Sequence, residues 1–236
     1  MEQIAISDER EEFPSRAELW QGVVLGTIAH AIWMAPDSTY SYGQGWDGPN
    51  YLLKDGRGDC AALTFTPERV VGAFFDLHSV RSPFRDVPKL PFGQVYRIED
   101  YFVGAPIEAQ ALARQEALTY VFDDYEGEAQ PVITAACWSE GDLLAAREPW
   151  QEVRPVCAHL LNIQTMPPEQ AVAAWTEEYE FDDDQVALLR ALFDRRMASV
   201  HPITVEGNER RTLTARGDEG LAESRALLAA IGIELP

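Results

Sequence analysis

Positive charge is scarce in this chain. Nineteen Lys and Arg stand against thirty-nine Asp and Glu, a formal net charge of −20 over 236 residues. A field of that sign repels phosphate backbones and anionic membranes and attracts basic proteins, so the expected partner is a basic protein, not nucleic acid or membrane. Cysteine is scarce too. Cys60, Cys137 and Cys157 are odd in number and widely spaced, which argues against a disulfide framework and fits a reducing compartment.

Metal-ligand spacing is missing. His30, His78, His159 and His201 are far apart, no CxxC or HxxxH occurs, and Cys157 with His159 is a single weak pair. Asp182–Asp184 lacks the glycine and distal glutamate of a calcium loop. No metal and no cofactor are expected. Long apolar runs are missing as well: Val23–Met34 is interrupted by Gly26, Thr27 and His30 and is too short to span a bilayer. The opening MEQIAISDEREEF has no basic segment followed by an apolar one, so no signal peptide is read there. Together these absences describe a soluble, cytoplasmic protein.

What is present is enough apolar material for a core, 46% hydrophobic and 10% aromatic, and no repeat, linker or low-complexity tract divides it. The expectation is one α+β domain over residues 1–236, a small antiparallel meander of three to four strands packed against about six helices. A helix is predicted over Ser15–Met34, where Ser15 and Glu18 form a capping box and the apolar positions are dense enough for burial on most sides. Asn50–Lys54, Ala61–Phe65 and Val70–His78 read as strands separated by turn residues. Pro131–Trp138 reads as a fourth strand. Helices are predicted over Pro106–Phe122, Leu143–Arg147, Pro167–Tyr179, Asp182–Ala198 (with Asp182 and Gln185 as a second capping box) and Asp218–Ile231. Cys157–Ile163 has no assigned type, and Pro202–Arg216 reads as a hairpin or loop.

Two motifs match by letter in SYGQGWDGPNYLLKDGRGDC (Ser41–Cys60). A dinucleotide GxGxxG must follow a strand and open a helix, but Gly43, Gly45 and Gly48 follow a loop and precede a strand. The RGD of Arg57–Asp59 sits where a hairpin turn wants Gly and Asp. What remains is an aromatic loop carrying Trp46, Asp47 and Tyr51, which forms either a binding rim or a plug closing the core; large aromatics usually end up mostly buried, which favours the plug.

Two further clusters are candidate sites. In FFDLHSVRSPF, strand alternation puts Asp76 and His78 on one face, with Arg81 following, a carboxylate–imidazole pair able to act as a general base. The face depends on register. A four-residue turn pairs Phe65 with Val70 and a five-residue turn pairs it with Val71; the second is adopted because it gives the more apolar core face, Val71, Ala73, Phe75 and Leu77. Asp76, His78 and Arg81 are then expected to converge near the Trp46–Tyr51 loop. The other cluster is Glu177–Asp184, six carboxylates in eight residues interleaved with Trp175, Tyr179 and Phe181. Here Tyr179 would anchor and Asp183 and Asp184 would steer a basic partner, unless the acids only solvate and cap a helix start. The function expected is therefore a non-enzymatic, acidic protein-binding protein of immunity or inhibitor type. The alternatives are a small-molecule hydrolase or transferase using Asp76, His78 and Arg81, and a structural subunit of a homo-oligomer.

Overall fold

In the computed structural model, which describes residues 12–93 and 95–236, the first helix joins two separate cores. Helix α1 (Arg16–Met34) starts as expected: the Ser15 hydroxyl accepts from the Glu18 N–H, and the Glu18 carboxylate accepts from the Ser15 N–H at 2.8 Å. Its apolar residues run all round, so it buries nearly every side. Leu19 and Val23 pack toward the sheet, while Val24, Leu25, Ile28 and Ile32 enter a helical core. The opening segment through Glu11, read above as lacking an export signal, lies outside the described residues, as do the side chains of Tyr40, Cys157 and His159.

Strands β1 (Gln44–Asp47), β2 (Asn50–Lys54), β3 (Cys60–Phe65) and β4 (Val70–Phe75) follow as a meander. Helices α2 (Ile98–Tyr101) and α3 (Ile107–Gln115) and the hairpin β5 (Phe122–Tyr125) and β6 (Glu128–Pro131) then lead to β7 (Ala135–Glu140) and β8 (Leu143–Ala145). The sheet is six-stranded and antiparallel in the order β1-β2-β3-β4-β7-β8, larger than the three to four strands expected. Two expectations fail because pairing overrides local composition. Gln44–Asp47 adds an edge strand inside the glycine-rich stretch, and Leu143–Ala145, helical by composition, instead pairs with β7 across a turn where Gly141 takes φ +62°.

The register of β3 against β4 is the four-residue alternative, Phe65 opposite Val70, not the Val71 pairing adopted from sequence. The reason is that β4 is buried on both faces. Val70 and Phe74 pack with α1 and with helix α4 (Trp150–Leu161), whereas Val71 and Ala73 pack with α3 and the 3-10 turn Ala117–Tyr120. With helices on both sides there is no polar face for the alternation to identify. The strand also ends at Phe75, short of His78.

The uncertain 157–163 segment is mostly the end of α4, with Pro155 inside that helix. Beyond it, α5 (Pro168–Glu178), α6 (Asp183–Ala198), α7 (Gly207–Leu213) and α8 (Leu221–Ala230) wrap the remaining sides of α1, with β9 (Ile203–Thr204) and β10 (Ile233–Glu234) paired in parallel. Eight helices stand among the described residues instead of about six. None of them is long and apolar enough to cross a membrane.

Candidate functional site

Asp76, His78 and Arg81 lie in the turns that follow β4. Asp76 Oδ1 accepts the backbone N–H of His78 at 2.8 Å, so the carboxylate closes a turn and leaves the imidazole, which is exposed, without its orientation. Arg81 is buried, and its guanidinium donates to both oxygens of Glu148 (2.7 and 2.9 Å) and to the Glu152 carbonyl (3.3 Å). The expected convergence with the Trp46–Tyr51 loop does not occur. Phe75 pairs with Cys60 at one end of the sheet, whereas Asn50 pairs with Thr64 at the other, where Pro49 O accepts the Phe65 N–H.

The glycines of the letter motif are strand and turn: Gly45 is within β1, Gly48 (φ +55°) is in the β1–β2 turn, and a strand follows. In the RGD turn, Asp55 Oδ1 accepts the N–H groups of Arg57 and Asp59, and Gly58 takes φ +105°. Trp46 packs edge-on against Trp20 and donates its indole N–H to Thr27 Oγ1 at 3.1 Å. Asp47 accepts from the Tyr120 hydroxyl at 2.8 Å. Tyr51 is 1% exposed. Its ring belongs to the core, and its hydroxyl bonds to Gln44 and Gln164, which line a cavity.

That cavity, of about 410 Å³, lies between the ends of α1, β2, α4 and α5. A chain of hydrogen bonds runs along and behind its floor. Gln164 Nε2 donates to Tyr51 Oη (3.2 Å), Tyr51 donates to Gln44 Oε1 (2.6 Å), Gln44 Nε2 donates to Tyr179 Oη (3.0 Å), and Tyr179 Oη lies 3.1 Å from His30 Nδ1. Burial pushes the phenols of Tyr51 and Tyr179 well above the ordinary tyrosine value, so both remain protonated donors. Trp33, Tyr179 and Trp175 form a continuous parallel stack, with centroids 4.7 and 5.1 Å apart. Lys54, Asp55 and Glu178 are exposed where they line the same cavity.

Tyr179, expected as an outward anchor, is therefore half-buried, with its ring between two tryptophans and its hydroxyl in the floor. Asp183 and Asp184 stand exposed in the first turn of α6, while Asp182 caps that helix through the Gln185 N–H and pairs with Arg216 at 2.8 Å. Of the acidic run it is Glu178 that lines the cavity. His30, Gln44, Gln164 and Trp175 carried no sequence signal as a group, because they come from four segments with no common spacing; only Trp175 stood beside a cluster already marked. The lining offers hydrogen bonds from amides and phenols, and stacking on aromatic walls. No group of three or more His, Cys, Asp or Glu is placed to hold a metal among the described residues. Comparison with protein-family models, curated proteins and solved structures finds no match to this chain.

Proposed function

We propose that this chain is a non-enzymatic, cytoplasmic binding protein, one domain over residues 1–236, that neutralises a basic partner protein in the manner of an immunity or inhibitor protein. The observation that carries this reading is the coincidence of charge and concavity at the end of α5: Glu177, Glu178 and Glu180 are exposed there, and Glu178 also lines the aromatic-walled cavity. A concave aromatic surface rimmed by one sign of charge both anchors a partner and steers its approach. Asp183 and Asp184 extend the same acidic stretch onto α6.

The test is a pull-down from the native host followed by association kinetics at two salt concentrations. Exposed charges act over roughly 8 Å at physiological ionic strength, so association slows as salt rises. Exchanging Asp183 and Asp184 for Asn, or Glu177 and Glu180 for Gln, slows association several-fold and leaves dissociation nearly unchanged, as rim charges do. Recovery of no basic partner, or rates indifferent to salt, overturns the reading.

A further inference from the structure

The cavity at the end of α5 keeps its formal charges apart from its polar floor. Gln44 and Gln164 are 5% and 3% exposed and neither carries a charge, while the acidic and basic residues at the rim, Lys54, Asp55 and Glu178, are all exposed. A charged group pushed to the floor would lose its hydration and meet no counter-charge, a cost of several kcal/mol by general estimates. A neutral polar group meets amides and phenols instead. Trp175 is 5% exposed and gives the cavity a flat wall, while its indole N–H is closed off from solvent. The walls between floor and rim are flat or aliphatic: Trp33, Trp175, Leu53, Leu160 and Ile163. At the rim two carboxylates outnumber one ammonium, within a chain of net charge −20.

We infer that this cavity is a binding site for a small aromatic amine, whose ring and neutral hydrogen-bonding group are buried between the aromatic walls and the Gln44–Gln164 floor, and whose ammonium lies at the rim beside Asp55 and Glu178. The volume, about 410 Å³, is in the range of small-molecule sites. The inference goes beyond the partner-binding reading and stands on the cavity alone, so it is tested on the isolated chain with no partner present.

Four probes of nearly equal shape separate the contributions: tyramine, tyrosol, 4-hydroxyphenylacetate and phenethylamine, titrated against tryptophan fluorescence and the indole N–H resonances. Tyramine binds saturably, about three-fold tighter than neutral tyrosol and about ten-fold tighter than the anionic 4-hydroxyphenylacetate, as expected for exposed charge pairs. Phenethylamine, lacking the hydroxyl, binds about ten-fold more weakly than tyramine. Glu178→Gln, on the exposed rim where folding is not at stake, narrows the gap between tyramine and tyrosol. Absence of saturable tyramine binding, equal or tighter binding of 4-hydroxyphenylacetate, or a Glu178→Gln variant that leaves the gap between tyramine and tyrosol unchanged overturns the inference.

Discussion

The turn region after β4 and the cavity at the end of α5 both bury polar side chains, and they use them in opposite ways. Around Asp76–Arg81 the polar groups are turned on one another. Asp76 holds the His78 N–H, Asp59 Oδ1 holds the Leu77 N–H at 2.7 Å, and Arg81 is locked to Glu148. Around Gln44–Tyr179 the groups also bond to one another, but along a cavity floor, with the Trp175 N–H left over. The first arrangement fixes a chain path, although the Ser82 hydroxyl beside Arg81 is also buried without a partner. The second lines a cavity with aromatic walls. Neither burial nor a leftover polar atom therefore marks a site by itself; what marks one is polar side chains that line a concave surface.

The largest effect expected from breaking this contrast is at Arg81. The side chains of Arg81 and Glu148 are 10% and 12% exposed, so Arg81→Met strands a buried carboxylate and costs about 3–5 kcal/mol in urea unfolding. Adding Glu148→Leu recovers most of that loss, since the cost comes from the unpaired charge. A single-mutant cost under about 1 kcal/mol would mean that water screens the pair and the region is not closed.

Gly22→Ala comes next and acts on the cavity side. A Cβ at Gly22 would lie 1.8 Å from the backbone oxygen of Gln164. Alanine favours the α1 helix by about 1 kcal/mol, but a backbone oxygen must move aside, and overpacking of this kind costs about 1–3 kcal/mol or more. Net destabilisation is expected, together with weaker tyramine binding as Gln164 is displaced. Tyr51→Phe should cost less, about 1 kcal/mol, because the hydroxyl it removes joins Gln164 to Gln44 yet water entering the cavity can replace part of the bonding. It sharpens the comparison if tyramine affinity falls more than stability does.

The smallest effect is a pH dependence at Asp182, outside both regions. The Gln185 N–H, ahead of the Arg216 guanidinium, holds the Asp182 carboxyl below its ordinary value. A carboxyl lowered in the folded state adds stability above the unfolded value and loses it as pH falls through the folded one. Asp182→Asn keeps a capping side chain. Its melting temperature should therefore fall below the parent's at neutral pH, with the gap closing in acid; a gap that persists at pH 2 would contradict the assignment.

Much of the helical framework was legible because helix ends are written within four residues. The boxes at Ser15/Glu18 and Asp182/Gln185 form as the spacing implies. The start of α7 was missed because Glu206 stands where Ser, Thr, Asp or Asn is looked for, although the Glu209 carboxylate does accept the Glu206 N–H at 2.7 Å. The β3–β4 turn was recognised but its register was not. Val70, Val71, Ala73 and Phe74 are all buried, so alternation between faces held no information about which side was core. The candidate site was legible only at Trp175, Glu178 and Tyr179, which were marked as a partner-facing surface and instead line a cavity.

What the sequence by itself determined is therefore what nearest neighbours and bulk composition determine. These are the limits of α1 and α6, the turns at Asp55–Gly58 and Thr66–Arg69, and an excess of negative charge that no folding can remove. The tertiary structure alone decided which polar side chains consume one another and which face a cavity. Gln44, Gln164 and the Trp175–Tyr179 pair at the end of α5 lie on three separate segments brought together by the packing of α5 and the end of α4 against α1 and the edge of the sheet. A hydrogen bond needs its partners within about 3 Å. Spacing along the chain fixes that distance inside one turn of helix and leaves it open across more than a hundred residues, where only packing sets it.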